Sequence, residues 1–149
     1  MADETHFLVV EDDPNDVFML ELALEQSAPD ARVHVVGDGE AAMEYLLRLE
    51  NDPHRNPHTL PYLILLDLKM PKMGGFEFLD WLRNHSPGNL RLLPVVVMSS
   101  SNLSEDVLQA YDLGGNSYMV KTINWEQFKQ NMATLHLYWS KIVEKAPIE

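Results

Sequence analysis

Residues 62–67 read YLILLD, an unbroken apolar run that ends in the carboxylate of Asp67. A short run that is apolar at every position is typical of a strand buried on both faces, as in a parallel sheet covered by helices. The runs FLVV at residues 7–10 and PVVVM at residues 94–98 have the same character. These three runs predict the central strands of a parallel sheet.

Two further runs and the segments between them extend this prediction to the whole fold. The additional strands are predicted at residues 32–36 and 117–120, and amphipathic helical patterns lie between all five runs. The pair Asp13-Pro14 supports the first helix, because it places a capping residue before a proline. The alternation predicts an α/β fold: a doubly wound, five-stranded parallel sheet in the flavodoxin-like order 2-1-3-4-5, within three α/β/α layers.

Composition excludes several classes of protein. The 149 residues include 23 acidic and 11 basic side chains and no cysteine, for a formal net charge of −12. This length suits one domain over residues 1–149, and the lack of cysteine excludes a disulfide framework, a cysteine zinc site and a thiol nucleophile. The acidic balance argues against nucleic acid and anionic membranes as partners. With no long apolar span and an acidic N-terminus, we expect a soluble cytoplasmic protein.

Two segments are longer than a minimal fold of this type needs. Residues 50–61, ENDPHRNPHTLP, contain three prolines and predict a long surface loop. His54 and His58 lie in this loop, but Pro57 between them disfavours a zinc site.

The predicted last helix, from about residue 124 to residue 144, is the second long segment. It has apolar residues at heptad-like spacing: Trp125, Phe128, Met132, Leu135, Trp139 and Ile142. Such a stripe packs either against the core of its own chain or against a second copy in a homodimer, and the sequence leaves both open.

A polar group follows each of four predicted strands. Glu11-Asp12-Asp13 follows the first, Asp67 the third, residues 99–101 (SSS) the fourth and Lys121 the fifth. In an open parallel sheet, ligands bind at the carboxyl ends of the strands where the strand order reverses. We therefore expect these four stretches to converge on one polar site.

The predicted cluster of carboxylates indicates phosphoryl chemistry with a metal ion. At ~4–5 Å and an effective dielectric constant of ~20, each pair of carboxylates repels by roughly 3–4 kcal/mol. Oxygen ligands suit Mg²⁺, which neutralises such a cluster. Asp67 can then accept a phosphoryl group as an acyl phosphate, Lys121 can pair with that group, and the Ser99 hydroxyl can donate to it.

Four motifs together resemble a known family. FLVVEDD (7–13), LILLDLKMPKMGG (63–75), PVVVMSSS (94–101) and GGNSYMVK (114–121) resemble the receiver domain of two-component response regulators, over about residues 6–144. The long loop and the aromatic last helix resemble the stand-alone, single-domain regulators that partner phytochromes. The resemblance implies phosphorelay signal transduction, in which a sensor histidine kinase donates the phosphoryl group, and the likeness to the stand-alone regulators implies a kinase of phytochrome type. It also implies a downstream protein or phosphotransfer partner.

The resemblance also implies roles for residues at the acidic site. Asp67 matches the phosphoacceptor, and Glu11 and Asp12 match the acidic pair. Asp12 is the more direct ligand of Mg²⁺, and Glu11 acts indirectly or through water. The main-chain carbonyl of Lys69 matches the third protein ligand.

The remaining positions match a conformational switch. Ser99 matches the hydroxyl residue that follows the phosphoryl group, Tyr118 the aromatic switch and Lys121 the lysine of the site. The family usually has proline after this lysine, whereas this chain has Thr122. Because a cis bond before a non-proline residue is costly, we expect either a trans Lys121–Thr122 bond or a strained one. The resemblance further implies that phosphorylation alters the surface of helix 4, strand 5 and helix 5.

Simpler interpretations remain for three of these residues. Residues 99–101 can be an ordinary polar loop, and Ser99 is chosen among them because it directly follows Met98. Tyr118 can be an ordinary half-buried strand aromatic. Asp13 is best explained as an acid at the start of a helix.

Two other functions are disfavoured by the same site residues. A phosphohydrolase of the haloacid dehalogenase type needs a second aspartate where Lys69 stands. A flavin module needs a phosphate-binding loop where Glu11 to Asp13 would repel phosphate. We therefore expect no enzyme activity beyond the protein's own phosphorylation and dephosphorylation.

Overall fold

The strands of the sheet are β1 (Phe7–Val10), β2 (Val33–Val36), β3 (Leu63–Leu66), β4 (Val95–Ser99) and β5 (Ser117–Val120). In a computed structural model that describes residues 6–148, they pair in parallel in the order β2-β1-β3-β4-β5. The predicted sheet and its order are confirmed. The bounds differ from the prediction by one residue at β2, β3 and β4, where Arg32, Tyr62 and Pro94 precede the strand and Ser99 ends it.

Five α-helices connect and flank the strands: α1 (Pro14–Ser27), α2 (Gly39–Glu50), α3 (Gly75–Asn84), α4 (Ser104–Asp112) and α5 (Trp125–Leu137). Side-chain caps explain three of their starts. Asp13 accepts a hydrogen bond from the main-chain N–H of Asn15 at 2.8 Å, Asp38 caps α2 and Asn124 caps α5. Asp13 therefore has the capping role that its position before Pro14 predicted.

Alternate residues of the central strands pack into two separate cores. Leu8, Ile64 and Val97 face the layer that contains α2, α3 and α4. Val9, Leu65 and other residues of the opposite phase face α1 and α5. This is the three-layer arrangement that fully apolar strands require, because each strand face is covered by helices.

The last helix differs in length and form from the prediction. α5 ends at Leu137, a π-helical turn spans Tyr138–Ile142, and Val143 is extended, so the helical segment stops before residue 144. The apolar stripe is buried or half-buried along α5, whereas Ile142 at its end is exposed. Met132 is fully buried, and its neighbours in the stripe as far as Trp139 pack against the α1/α5 core. Most of the stripe is therefore core of the same chain.

The segment between α2 and β3 contains turns and neither helix nor strand, as the three prolines predicted. It returns to the core at its end, where Leu60 is buried. Within residues 6–148, no helix is both long enough and apolar enough to span a membrane.

Candidate functional site

The register of β1 and β3 brings the first and third polar strand ends together. Val10 is paired with Leu66, and the main-chain N–H of Asp67 donates to the carbonyl of Val10 at 3.0 Å. Glu11 and Asp67, each one residue further on, therefore leave neighbouring strands at the same level. This is the reversal point of the strand order, as the sequence predicted.

Three carboxylates form the cluster at this point. One oxygen from each of Glu11, Asp12 and Asp67 lies within 4.8 Å of the others. Glu11 and Asp67 are buried, with exposed fractions of 7% and 8%, whereas Asp12 is exposed. Oxygen donors that are buried on one side and open on the other suit a hard cation that keeps part of its water shell. The cluster can therefore bind a metal ion.

Burial raises the pKa of both inner carboxyl groups. For Glu11, the hydrogen bond from Lys121 opposes this effect and the charge of Asp67 adds to it. For Asp67, Lys121 again opposes burial and the charge of Asp12 adds to it. Both groups are therefore less stable as carboxylates here than in water, and a cation would relieve that cost.

Lys121 is the cation that the chain itself supplies. Its Nζ lies 2.9 Å from Glu11 Oε1 and 3.3 Å from Asp67 Oδ1. It lies still nearer to Asp16 Oδ2, at 2.7 Å. Burial alone would lower the pKa of Lys121, but the bonds to Asp16 and Glu11 and the charge of Asp67 outweigh it and raise the pKa above its ordinary value.

Asp16 is the site residue that the sequence analysis missed. It lies in the first turn of α1, four residues after Asp12, and its carboxylate contacts Lys121 at the end of β5. An acid in the first turn of a helix is ordinarily explained by the helix dipole, which masks a second role. The feature of the sequence that could have indicated this role is that Asp16 follows Asp12 of the acidic pair by only four residues.

Ser99 and Tyr118 lie on adjacent strands and meet the same loop. Ser99 is only 1% exposed and its Oγ accepts from the N–H of Ser101, whereas Ser100 points outward and is exposed. The Tyr118 hydroxyl donates to the main-chain carbonyl of Ser101 at 2.8 Å. Tyr118 is thus half-buried and tied to the loop between β4 and α4. The switching roles of Ser99 and Tyr118 stay predictions.

The loop after β3 passes close to α3. A Cβ on Gly75 would lie 2.4 Å from the main-chain oxygen of Asp67, so a side chain at this position would push α3 away from the site. Lys69, in the same loop, is exposed, and the role of its carbonyl stays a prediction. The bond between Lys121 and Thr122 is trans, because residues 6–148 contain no cis peptide bond.

A cavity of about 250 Å³ lies directly beneath the charged groups, between α1 and α5. Its walls are mainly apolar and include Val9, Leu20, Leu65, Met98, Trp125 and Phe128. Glu11, Asp16, Asp67 and Lys121 line the same cavity, so the charged cluster has mainly apolar side chains on its inner side.

Residues 7–133 match the family of the response regulator receiver domain. The chain belongs to this family. The match includes the acidic pair, Asp67, Ser99, Tyr118 and Lys121. This receiver domain is thus a component of two-component signalling, as the four motifs predicted.

The receiver domain is similar over nearly its whole length to phytochrome-associated regulators. The response regulator Rcp1 of Synechocystis sp. is 32% identical, over 96% of this chain and 97% of Rcp1. The crystal structure of the phosphorylated cyanobacterial phytochrome response regulator RcpA has a TM-score of 0.79 at 32% identity, covering 95% of this chain and 97% of that chain. The crystal structure of the Mn(2+)-bound form of Rcp1 has a TM-score of 0.77 at 30% identity, covering 95% and 99%.

Proposed function

We propose that this receiver domain accepts a phosphoryl group on Asp67 from a sensor histidine kinase. The observation that carries the proposal is the position of Asp67 among two further carboxylates and the Lys121 ammonium, at the carboxyl end of a central strand. The name of the similar RcpA, a phosphorylated phytochrome response regulator, supports a phytochrome-type kinase as the donor.

The transfer step uses the Asp67 carboxylate as the nucleophile. A carboxylate oxygen attacks the phosphorus of a phosphohistidine, the new P–O bond forms as the P–N bond breaks, and the departing imidazole takes up a proton. Lys121 offers a positive charge to the oxygens of the transferring group. The chain performs this reaction on itself, so we propose no turnover of a separate substrate.

Mg²⁺ is the proposed metal, and the donor set supports it. Asp12, Asp67 and the main-chain carbonyl of Lys69 would hold the ion, with Glu11 acting indirectly or through water. When bound, the ion supplies positive charge that offsets the carboxylates and the phosphoryl oxygens. The Mn(2+)-bound form of the similar Rcp1 supports a divalent cation at such a site.

The proposed output is a change in the surface formed by α4, β5 and α5. The Ser99 hydroxyl would turn toward the phosphoryl group and the Tyr118 ring would move into the space left behind. The bond from Tyr118 to the carbonyl of Ser101 links these two residues to the loop that leads into α4. Phosphorylation would thereby bias a two-state element, which a downstream protein or phosphotransfer partner can recognise.

We also propose that the protein forms a homodimer through its C-terminal helical region. Because most of the α5 stripe is core, the proposal rests on the outward face, where Leu137, Tyr138 and Ile142 are exposed to 49%, 46% and 62%. Light scattering should give the mass of a dimer, and Ile142→Asp should reduce it to that of a monomer. A monomer at high concentration, phosphorylated or not, contradicts the dimer.

Labelling with acetyl phosphate tests the phosphoacceptor directly. With Mg²⁺ present, the protein should acquire an acid-stable, base-labile phosphoryl group, visible as a mass increase, and Asp67→Asn should abolish it. Asp112→Asn is the matched control, because Asp112 is an exposed aspartate at the end of α4 and should be labelled normally. Unchanged labelling of Asp67→Asn would remove Asp67 from this role, and labelling that survives chelation would remove Mg²⁺.

A further inference from the structure

Three carboxylates hold Lys121, and the nearest of them lies outside the metal cluster. The Lys121 Nζ is closer to Asp16 (2.7 Å) than to Glu11 (2.9 Å) or Asp67 (3.3 Å). The ammonium group donates hydrogen bonds to Glu11 and Asp16, whereas its contact with Asp67 is a longer ion pair. To pair closely with a phosphoryl group on Asp67, Lys121 would therefore shift away from the two carboxylates to which it is hydrogen-bonded.

Asp16 is the one of the three that can release Lys121 most easily. Glu11 and Asp67 are nearly buried, whereas the Asp16 side chain is 42% exposed and water can replace the ammonium as its partner. Asp16 also lies in the first turn of α1, where the positive end of the helix dipole stabilises its carboxylate without Lys121.

The position of Asp16 is set by the fold and does not depend on the ion pair. Pro14 and the Asp13 cap fix the start of α1, and Leu20 and Leu24 on this helix are buried in the core shared with α5. Asp16 and Lys121 are 105 residues apart in the chain and belong to opposite sides of the site. The pair thus joins α1 to the end of β5 across the mouth of the site.

We propose that Asp16 is a positioning residue that holds Lys121 on the α1 side of the site and competes with the incoming phosphoryl group for it. This inference rests on the proposed phosphorylation of Asp67. Before transfer, Asp16 neutralises part of the charge that would attract an anionic phosphodonor. As the phosphoryl group arrives, Lys121 exchanges its contact with Asp16 for one with a phosphoryl oxygen, and the link from α1 to β5 opens.

Asp16→Asn tests the competition, because it keeps the shape of the side chain and removes its charge. Lys121 then pairs more readily with an anionic donor. The acetyl phosphate concentration for half-maximal labelling rate should fall about three- to fivefold, the range expected for a partly exposed ion pair. The maximal rate should change little, since the competition acts on binding of the donor. An unchanged or increased half-saturating concentration overturns the proposal.

Two control variants separate this role from general electrostatics and from helix stability. Asp16→Glu keeps the charge and should behave as the wild type. Glu21→Gln removes the same charge from an exposed position on the same helix and should leave half-saturation unchanged. If the half-saturating concentration of acetyl phosphate fell equally in Glu21→Gln, the effect would come from net charge alone and the proposal would be overturned. A purely structural role of Asp16 would lower the urea midpoint of Asp16→Asn without moving half-saturation, which also overturns it.

A spectroscopic measurement follows the exchange of partners without labelling. The ¹⁵N signal of the Lys121 ammonium should shift when a fluoroberyllate analogue of the phosphoryl group and Mg²⁺ are added. Before these additions, the signal of Asp16→Asn should lie nearer to the shifted position than that of the wild type. Identical initial positions in the two proteins overturn the proposal.

If wild-type protein is never labelled on Asp67, the proposed function fails; if it is labelled but Asp16→Asn has wild-type half-saturation, only this inference fails.

Discussion

Two polar clusters, each with buried and exposed members, lie at opposite ends of the sheet, and they are built differently. At the carboxyl ends of the strands, Lys121 faces the carboxylates of Glu11, Asp16 and Asp67, so negative charge is in excess. At the amino ends, the Tyr62 hydroxyl and His136 Nδ1 share a hydrogen bond of 2.6 Å, and His136 Nε2 lies 3.2 Å from Asp30.

In the second cluster, Tyr62–His136–Asp30, each polar group has a hydrogen-bond partner, and we call it the balanced cluster. His136 lies between the other two groups, with Nδ1 against the Tyr62 hydroxyl and Nε2 against Asp30. Burial, and then the charge of Asp30, raise the pKa of Tyr62, so it stays a protonated hydroxyl at physiological pH. Every polar group has a partner, and the cluster ties β3 to α5 and to the loop after α1.

The contrast separates a site from a structural network. A buried polar group that is fully hydrogen-bonded stabilises the position of its neighbours and gains nothing from a ligand. A buried cluster with excess charge is stabilised by an added ion, and so its properties depend on what binds. This difference predicts how variants of the two clusters respond.

The largest expected effect is on stability when the charged cluster loses its only cation. Lys121→Met leaves Glu11 and Asp67 nearly buried with no counter-charge. Breaking a fully buried pair costs about 3–5 kcal/mol, and the partial exposure here reduces the expected loss to about 2 kcal/mol in metal-free protein. Urea unfolding at neutral pH measures it.

The matched control removes a lysine that lies beside the other cluster. Lys141 lies 3.5 Å from Asp30 and its side chain is 58% exposed, so Lys141→Met should change the free energy of unfolding by less than about 0.5 kcal/mol. Equal losses for Lys121→Met and Lys141→Met would contradict the distinction between the clusters.

A smaller effect is expected from breaking the balanced cluster. Tyr62→Phe removes the hydroxyl that is hydrogen-bonded to His136 Nδ1 and leaves that nitrogen buried without this partner. The cost should be about 1–2 kcal/mol in urea unfolding, whereas the rate of labelling with acetyl phosphate should not change. Tyr111→Phe, which alters an exposed tyrosine in α4, should change neither quantity. A slower labelling rate in Tyr62→Phe would show that the two clusters are coupled.

The smallest expected effect is the pH dependence of the charged cluster. The pKa values of Glu11 and Asp67 are raised in the folded protein, so their contribution to stability is full below the ordinary carboxylate pKa and is lost as pH rises through the folded value. Metal-free protein should therefore gain stability from these groups as pH falls from neutral toward the ordinary carboxylate pKa. Asp67→Asn should reduce this gain, and Mg²⁺ should flatten it.

Comparison of urea midpoints for wild type and Asp67→Asn across this pH range isolates the contribution of Asp67 from that of the other carboxylates. If the urea midpoint changed with pH equally in wild type and Asp67→Asn, that result would contradict the raised pKa of Asp67.

Much of the site can be predicted from local sequence, because most of its residues directly follow a strand. Asp67 and Lys121 were placed correctly because each directly follows a recognisable strand, and parallel strands end at one edge of the sheet. Ser99 illustrates the limit of such reasoning. It was expected after β4, but pairing with Val120 of β5 makes it the last residue of the strand.

Two features could not be read from local patterns. The apolar stripe of the last helix suits either a core or a dimer interface, and the partner that buries Met132 is a layer of α1 and the sheet distant in the chain. The change from α-helix to π-helical turn at Tyr138 has no signal in heptad spacing. Both depend on the surface against which the helix packs.

The sequence by itself determined the order of strands and helices, the parallel sheet, the acidic strand ends and the family. These follow from periodicity of two and 3.6 residues and from motifs within single strand–loop segments. Only the tertiary structure decided that Asp16, 105 residues from Lys121, is its nearest partner. The physical reason is that an ion pair depends on distance in space, which packing of α1 against α5 sets and which chain separation does not reveal.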